Sequence, residues 1–480
     1  MKGSWLDYII ILIYLIGIAV IGIISGGKQK SVKDYFLGSK SVPWWAVCFS
    51  IVAAETSTLT FISAPGLAYI MNLNFLQVTF GYLLGRIIVA FLFLPAYAKG
   101  ELKTAYTFLD QRFGGRTRSF ASIVFLFTRI AADGVRLFAT AIPLKMMLNI
   151  SYAEAIAVMA IVALIYTYTG GVKGIIWVDV FQMFTYLVGA VAAALFLLNL
   201  IPGGWNTVIT AGSSAGKFSV FNFVFENGIS GFFNKPYTLF GGLIGGAFLS
   251  MASHGTDQLI VQRLLATQNI NESRKAVIGS GVIVIIQFVI FLFIGVLLYV
   301  YYGSMNIKSD MVFPKFIIEM LPPGLFGFII AGLLAAALST LAGSISSLSS
   351  STMIDLYLPF KKVCTDDVSQ LRISRIFTVM WAVILSCSAL FFMNTSQAVI
   401  ELALGIASFT YGGLLGTFLL GIFVKKASEE DALAGFASGI LIMIFVITFK
   451  ITAWTWFTLI GVAATMFVGS FRTSISALRK

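Results

Sequence analysis

The stretch 51-IVAAETSTLTFISAPGLAY-69 lies inside an apolar run long enough to cross a membrane, yet it carries one carboxylate, five serines and threonines, a proline and a glycine. In hydrocarbon every backbone N–H and C=O needs a partner. Irregular chain is tolerated there only where it is buried in protein or lines a polar cavity. The stretch therefore predicts a span interrupted at AAETSTLT, its loosened backbone turned towards a site.

The remaining chain supplies the helices to enclose such a site. Of 480 residues, 59% are hydrophobic and 11% charged, which excludes a soluble domain and indicates a polytopic membrane protein. Thirteen apolar stretches match the roughly 30 Å hydrocarbon thickness, near 5–25, 44–70, 74–98, 119–146, 152–169, 175–200, 237–254, 276–302, 323–354, 374–394, 398–424, 432–449 and 452–471. The first begins with a lone Lys2 and lacks a small-residue cleavage site, so it is expected to be a retained helix rather than a removed signal peptide. Cys48, Cys364 and Cys387 have no paired spacing, which predicts neither a disulfide framework nor a metal cluster.

The net charge of +12 follows topology rather than nucleic-acid binding. With the amino terminus outside and the carboxyl terminus inside, 22 of the 32 Lys and Arg residues, Arg263 among them, fall on the cytoplasmic face and six on the outer face, with four left in spans. No linker separates soluble domains, so residues 1–480 are expected to form one membrane domain. After the leading helix at 5–25 come two five-helix blocks, 44–200 and 237–424, which start on opposite sides of the membrane, and two trailing helices at 432–471. The first helix of each block carries a feature that weakens it: AAETSTLT in one and 241-GGLIGG-246 in the other. Paired interruptions in inverted halves point to the binding site of a secondary transporter, whereas glycine runs also serve plain helix packing.

An ionisable side chain in mid-span costs at least about 2.5 kcal/mol on insertion scales, so each one needs a reason. The candidates are Glu55, Arg86, Arg129, Asp133, Arg136, Asp179 and Glu401. Arg129, Asp133 and Arg136 share one helix face, so that Asp133 neutralising Arg129 leaves Arg136 as an unmatched cation suited to a carboxylate ligand. Asp179, read just past the cytoplasmic end of its helix, is either interfacial or a cation ligand. The hydroxyl-rich run 335-AAALSTLAGSISSLSSST-352 offers it partners, since sodium prefers oxygen. His254 stands alone, and neither a nucleophile elbow nor a Walker loop occurs, which disfavours an enzyme or a nucleotide-driven pump.

Four segments in order, 34-DYFLGSKSVPWWAVCFSIVAAETS-57, 167-TYTGGVKGIIWVDVFQ-182, 256-TDQLIVQRLLAT-267 and 336-AALSTLAGSISS-347, resemble the solute:sodium symporter family over about residues 5–425. That resemblance implies an all-α fold with the inverted five-plus-five repeat first seen in the leucine transporter, and a sodium-coupled importer working by alternating access as a monomer in the plasma (inner) membrane. It implies a main sodium site of the carbonyls of Ala53, Thr56 and Ala336 with the hydroxyls of Ser339 and Thr340. A second sodium would use Asp179 with Ser339 and Thr340, although a family serine is replaced there by Ala336. Glu55, Ser57, Thr60, Phe75, Gln77, Arg136, Phe240 and Phe409 are the implied pocket residues. The segment 134-GVRLF-138 is similar to that of the proline, pantothenate and sialic acid members and implies a carboxylate-bearing solute. A sugar or polyol symporter, or a channel or sensor on the same fold, are the alternatives. A tag at the carboxyl terminus is expected to be labelled by an impermeant reagent only after cells are permeabilised; labelling of intact cells would reverse the topology.

Overall fold

The computed structural model describes residues 3–98, 102–223, 228–361, 366–392 and 399–478, with the side chains of 143, 146, 147, 229, 230, 399–409 and 476–478 outside the described set. Among the described residues the chain is helical without a β-strand, a single bridge joining Val42 to Thr267. The principal helices are α1 (Trp5–Gly26), α2 (Trp44–Glu55), α3 (Thr58–Ile70), α4 (Leu76–Ala98), α5 (Gly115–Leu148), α6 (Tyr152–Leu200) and α7 (Gly246–Gly255). They continue with α8 (Ile270–Tyr302), α9 (Leu325–Lys361), α10 (Asp367–Phe391), α11 (Val399–Phe423), α12 (Glu429–Thr448) and α13 (Phe457–Leu478). Eight described helices are long and apolar enough to cross a membrane, and the bent pair α2 and α3 makes a ninth. The expected spans at 119–146, 237–254 and 398–424 are helical without meeting that measure over their described residues.

Local sequence sets the helix starts. In α6 the Ser151 hydroxyl accepts from Glu154 N and the Glu154 carboxylate accepts from Ser151 N, and Ser428 with Asp431 does the same for α12, so both satisfy N–H groups that a helix start leaves free. Asp7 reaches further. One of its oxygens closes the start of α1 on Ser4, while the other accepts from Gly324 N at 2.7 Å and Gly327 N at 2.8 Å, capping α9 with a negative charge.

The 49-residue α6 is a hairpin rather than one rod. A Cβ placed on Gly22 of α1 would lie 2.4 Å from Tyr166 and 3.0 Å from Val178, two residues that a straight helix would hold roughly 18 Å apart. The reversal occurs at Gly171, whose φ of 57° and ψ of −163° suit a residue without a Cβ. Both arms then close on α1, and the separate stretches expected at 152–169 and 175–200 are recovered.

The break expected in the first block is present: α2 ends at Glu55, α3 starts at Thr58, and they are bent by 66°. The second block differs from expectation. Residues 241-GGLIGG-246 do not interrupt their helix but form a π-helical turn, Gly241–Gly245, that runs straight into α7. The glycines there serve close approach, since a Cβ on Gly242 would meet Gln77 at 2.8 Å and one on Gly245 would meet the Thr455 carbonyl at 2.1 Å. Helix α9 runs through the interior, and every residue from Ile329 to Ser351 is buried. Gly26→Val is expected to lower the thermal midpoint strongly, because its Cβ would fall 2.2 Å from the Gly170 Cα, whereas Gly17→Val, with nothing within 4 Å, leaves the midpoint unchanged.

Candidate functional site at the helix break

The last four carbonyls of any helix lack intrahelical partners, and in α2 these belong to residues 52–55. Val52 O accepts from Thr56 N at 3.0 Å and from the Thr56 hydroxyl at 2.7 Å. Ala54 O faces α9, where the Thr340 hydroxyl stands 3.4 Å away and 3.2 Å from Ala336 O. Beyond the break, the Thr58 hydroxyl donates to Leu333 O at 3.3 Å. The broken helix is thus held to α9 from both sides, by Thr340 on Ala54 O and by Thr58 on Leu333 O. Thr56 is fixed by two groups that sequence reasoning missed: Gln287 of α8, whose Nε2 is 2.8 Å from the Thr56 hydroxyl, and the Tyr186 hydroxyl of α6 at 3.2 Å. A lone amide in the apolar run 281-GVIVIIQFVIFLF-293 is the signal that could have found Gln287.

Asp179 is fully buried rather than interfacial. Its carboxylate accepts from the Ser339 hydroxyl at 2.6 Å and from the Ser50 hydroxyl at 2.5 Å, and Arg263 Nη2 pairs with it at 2.9 Å. Arg263 had been counted with the cytoplasmic charges. The short helix Gln258–Leu265 instead turns it inward, because a buried carboxylate requires a cation and Asp179 lies within reach. Ser339 therefore joins α9, and Ser50 joins α2, to Asp179.

A small space closed to a solute lies beside the break, between α5 and α9, lined by Ser57, Asp133, Arg136, Thr140, Ala337 and Thr340 among others. About 10 Å³ of it is open to the centre of a water-sized sphere, which is room for one water and not for a solute. Arg136 is not unmatched: its Nη1 is 3.2 Å from Asp133, which also accepts from Ser344 at 2.5 Å and pairs with Arg129 at 3.3 Å. Asp133 is free to serve both guanidiniums because Arg129 has a second partner, Asp257, whose carboxylate also accepts from the Tyr411 hydroxyl at 2.7 Å. Asp257 was not singled out in the sequence. Its place as N-cap of the short helix, accepting from Leu259 N at 2.9 Å, explains the inward direction.

Glu55 pairs with Arg86, and His254 Nε2 is 3.6 Å from the same carboxylate, so neither Glu55 nor His254 stands alone. Arg86 also donates to Ser280 at 2.8 Å. Thr60 is half-buried on α3. Phe75 stacks on Phe288 with centroids 4.9 Å apart, while Gln77 donates to Tyr237 O at 3.3 Å and accepts from Asn222 N at 3.0 Å, which ties it to the segment between α6 and α7. Phe240 is 43% exposed and packs on Phe232. These three do not line the closed space, and the Phe409 side chain lies outside the described residues.

The model of the Sodium:solute symporter family matches residues 35–439. The chain belongs to this family. The sodium/sialic acid symporter NanT of Aliivibrio fischeri (strain ATCC 700601 / ES114) is 28% identical over 97% of this chain and 92% of its own. The sodium/sialic acid symporter SiaT of Proteus mirabilis (strain HI4320) is 28% identical over 91% and 88%, and the sodium/glucose cotransporter of Vibrio parahaemolyticus 26% over 92% and 85%. The solved substrate-bound, outward-open structure of a Na+-coupled sialic acid symporter superposes with a TM-score of 0.89 at 26% identity, covering 98% of each chain. The nucleobase-cation-symport-1 family transporter Mhp1 shares the fold, at a TM-score of 0.61 and 12% identity over 92% of this chain and 94% of its own. This symporter is accordingly a multi-pass membrane protein that couples a small solute to sodium, and its relatives are transporters rather than enzymes.

Removing one partner of a buried ion pair leaves an uncompensated charge, at a cost of about 3–5 kcal/mol. Arg86→Met is expected to lower the thermal midpoint of the symporter sharply, and adding Glu55→Gln to restore most of it; no recovery in the double variant would mean that Arg86 acts by packing.

Proposed function

We propose that this symporter imports a small carboxylate-bearing solute with sodium, by alternating access around the break between α2 and α3. The observation that carries the reading is Arg136 beside Thr340 on one closed space, which puts a guanidinium suited to a carboxylate next to the hydroxyl proposed for sodium. The sialic acid relatives support that solute class. The sodium ligands are the carbonyls of Ala53, Thr56 and Ala336 with the hydroxyls of Ser339 and Thr340. The solute meets Ser57, Thr60 and Arg136 once the helices part; Glu55, Phe75, Gln77, Phe240 and Phe409 contribute only from the walls of the opened path.

The chain is read as one domain of thirteen spans, amino terminus outside and carboxyl terminus inside, with inverted repeats at 44–200 and 237–424. It is read as working as a monomer in the plasma (inner) membrane bilayer. The Arg263 pair supports a single sodium per resting site, because a second ion at Asp179, Ser339 and Thr340 has to displace a guanidinium. Energetics set what that second ion is worth. At about 1.4 kcal/mol for a tenfold sodium gradient and about 2.3 kcal/mol per charge at 100 mV, one sodium with a monoanion gains roughly 1.4 kcal/mol, and two gain about 5.1 kcal/mol. Strong accumulation of an anion therefore requires Arg263 to leave Asp179.

The Asp133 carboxylate on Arg136 supports a second reading, a neutral sugar or polyol as solute, since the paired charges already cancel. Uptake into proteoliposomes separates the two. An imposed sodium gradient is expected to drive uptake of an organic acid, and Arg136→Ala to abolish it while sodium still raises the thermal midpoint. Uptake indifferent to sodium sinks the transport reading, and competition by sugars but not acids replaces the first solute class with the second.

A further inference from the structure

An open groove of about 640 Å³ lies away from the helix break, on the outer face of α10. Its walls include Tyr168, at the end of the first arm of α6, and Leu371, Arg372, Arg375, Ile376 and Val379 of α10. Positions 372, 375, 376 and 379 follow the three-and-four spacing of a single helix face, with both guanidiniums at one end and aliphatic side chains continuing from them over roughly 10 Å. Ile376 is 59% and Val379 39% exposed. An exposed aliphatic side chain on a membrane helix is ordinary; a recess that begins with two arginines and continues as hydrocarbon is not.

Neither arginine forms an ion pair among the described residues. Arg372 is exposed. Arg375 donates to the Gln29 amide oxygen at 3.2 Å, and its guanidinium lies 5.4 Å from the Tyr168 ring centroid and 5.9 Å from that of Tyr35. Its Nε is buried and has no hydrogen-bond partner among the described residues. The acidic groups nearest in sequence are at the start of the helix: Asp366 accepts from Ser369 N at 3.3 Å as its cap, and Asp367 lies in its first turn. Lys28 and Lys30 flank Gln29 in the chain and add to the positive side.

We propose that this groove is a binding site for an acidic glycerophospholipid, its phosphate on Arg372 and Arg375 and an acyl chain along Ile376 and Val379. The fork of a guanidinium matches phosphate oxygens in charge and geometry, and basic pockets at the membrane surface recognise anionic headgroups. A soluble anion would leave the aliphatic floor uncovered. A zwitterionic lipid would bring an ammonium to a place that already holds two cations. The bound lipid would join α10 to the segment between α1 and α2 through Gln29 and Tyr35, and to the reversal of α6 through Tyr168, three residues before Gly171.

The test uses the full chain purified in uncharged detergent and offered phosphatidylglycerol, phosphatidylcholine of the same acyl chains, or inorganic phosphate. Retained lipid is counted by native mass spectrometry and stabilisation by the thermal midpoint. Phosphatidylglycerol is expected to be retained and to raise the midpoint, with phosphatidylcholine and phosphate without effect. The pair Arg372→Gln and Arg375→Gln should weaken phosphatidylglycerol retention about tenfold or more, as the loss of charge-assisted hydrogen bonds requires. Arg372→Gln alone, at an exposed position, should give part of that loss in a chain that folds. Equal retention of the two lipids by the wild type, unchanged retention in both variants, or equal stabilisation by phosphate alone would overturn the proposal. Lipid retention is read without any sodium or solute present, so its failure is distinct from failure of the transport reading.

Discussion

Carbonyl groups left without partners at the end of α2 govern much of this architecture. In water such groups would be solvated; in a bilayer they must be met by protein or by a bound ion. The chain meets them with α9, a helix buried from Ile329 to Ser351, whose hydroxyls can donate inward because no lipid touches them. The remaining helices serve to keep that contact dry. The reversal of α6 at Gly171 brings two arms against α1, and Asp7 at the other end of α1 caps α9, so the leading helix braces the same element.

Helix α9 also links the chemistry of three places. Thr340 faces the break, Ser339 donates to Asp179, and Ser344 donates to Asp133. A displacement of α9 relative to α2, α5 and α6 would alter all three contacts together, which is the physical requirement for a carrier in which ion and solute are felt jointly. The charges are arranged for such motion. Asp133 is shared between Arg129 and Arg136, and Arg129 between Asp133 and Asp257, so Arg129 released by one carboxylate remains paired with the other.

The closed space beside Arg136 holds no more than a water, and the side chains expected to form the rest of the pocket are engaged elsewhere. Gln77 is tied to Asn222 and Tyr237, and Phe75 to Phe288. Asn222 and Tyr237 lie between α6 and α7 and Phe288 on α8, so Gln77 and Phe75 are held by different elements.

Much of this was legible from the chain alone. Interrupted polarity at 55–58, the hydroxyl run on α9 and the cost of mid-span charge pointed to the broken helix, its partner and the residues around them, because each breaks a local rule that hydrocarbon enforces. Partner choice was not legible. That Glu55 meets Arg86 and His254, that Asp133 serves two arginines, and that Arg263 turns inward to Asp179 depend on elements up to 199 residues apart in sequence whose side chains converge only after packing. The glycines at 241–246 make the same point from the backbone: their sequence permits either a break or a close approach, and the neighbouring surfaces of α4 and Thr455 decided for approach. Sequence determines where a helix is weak and where a charge must be answered; the tertiary structure decides which group answers it, since that depends on distance across the bundle and not along the chain.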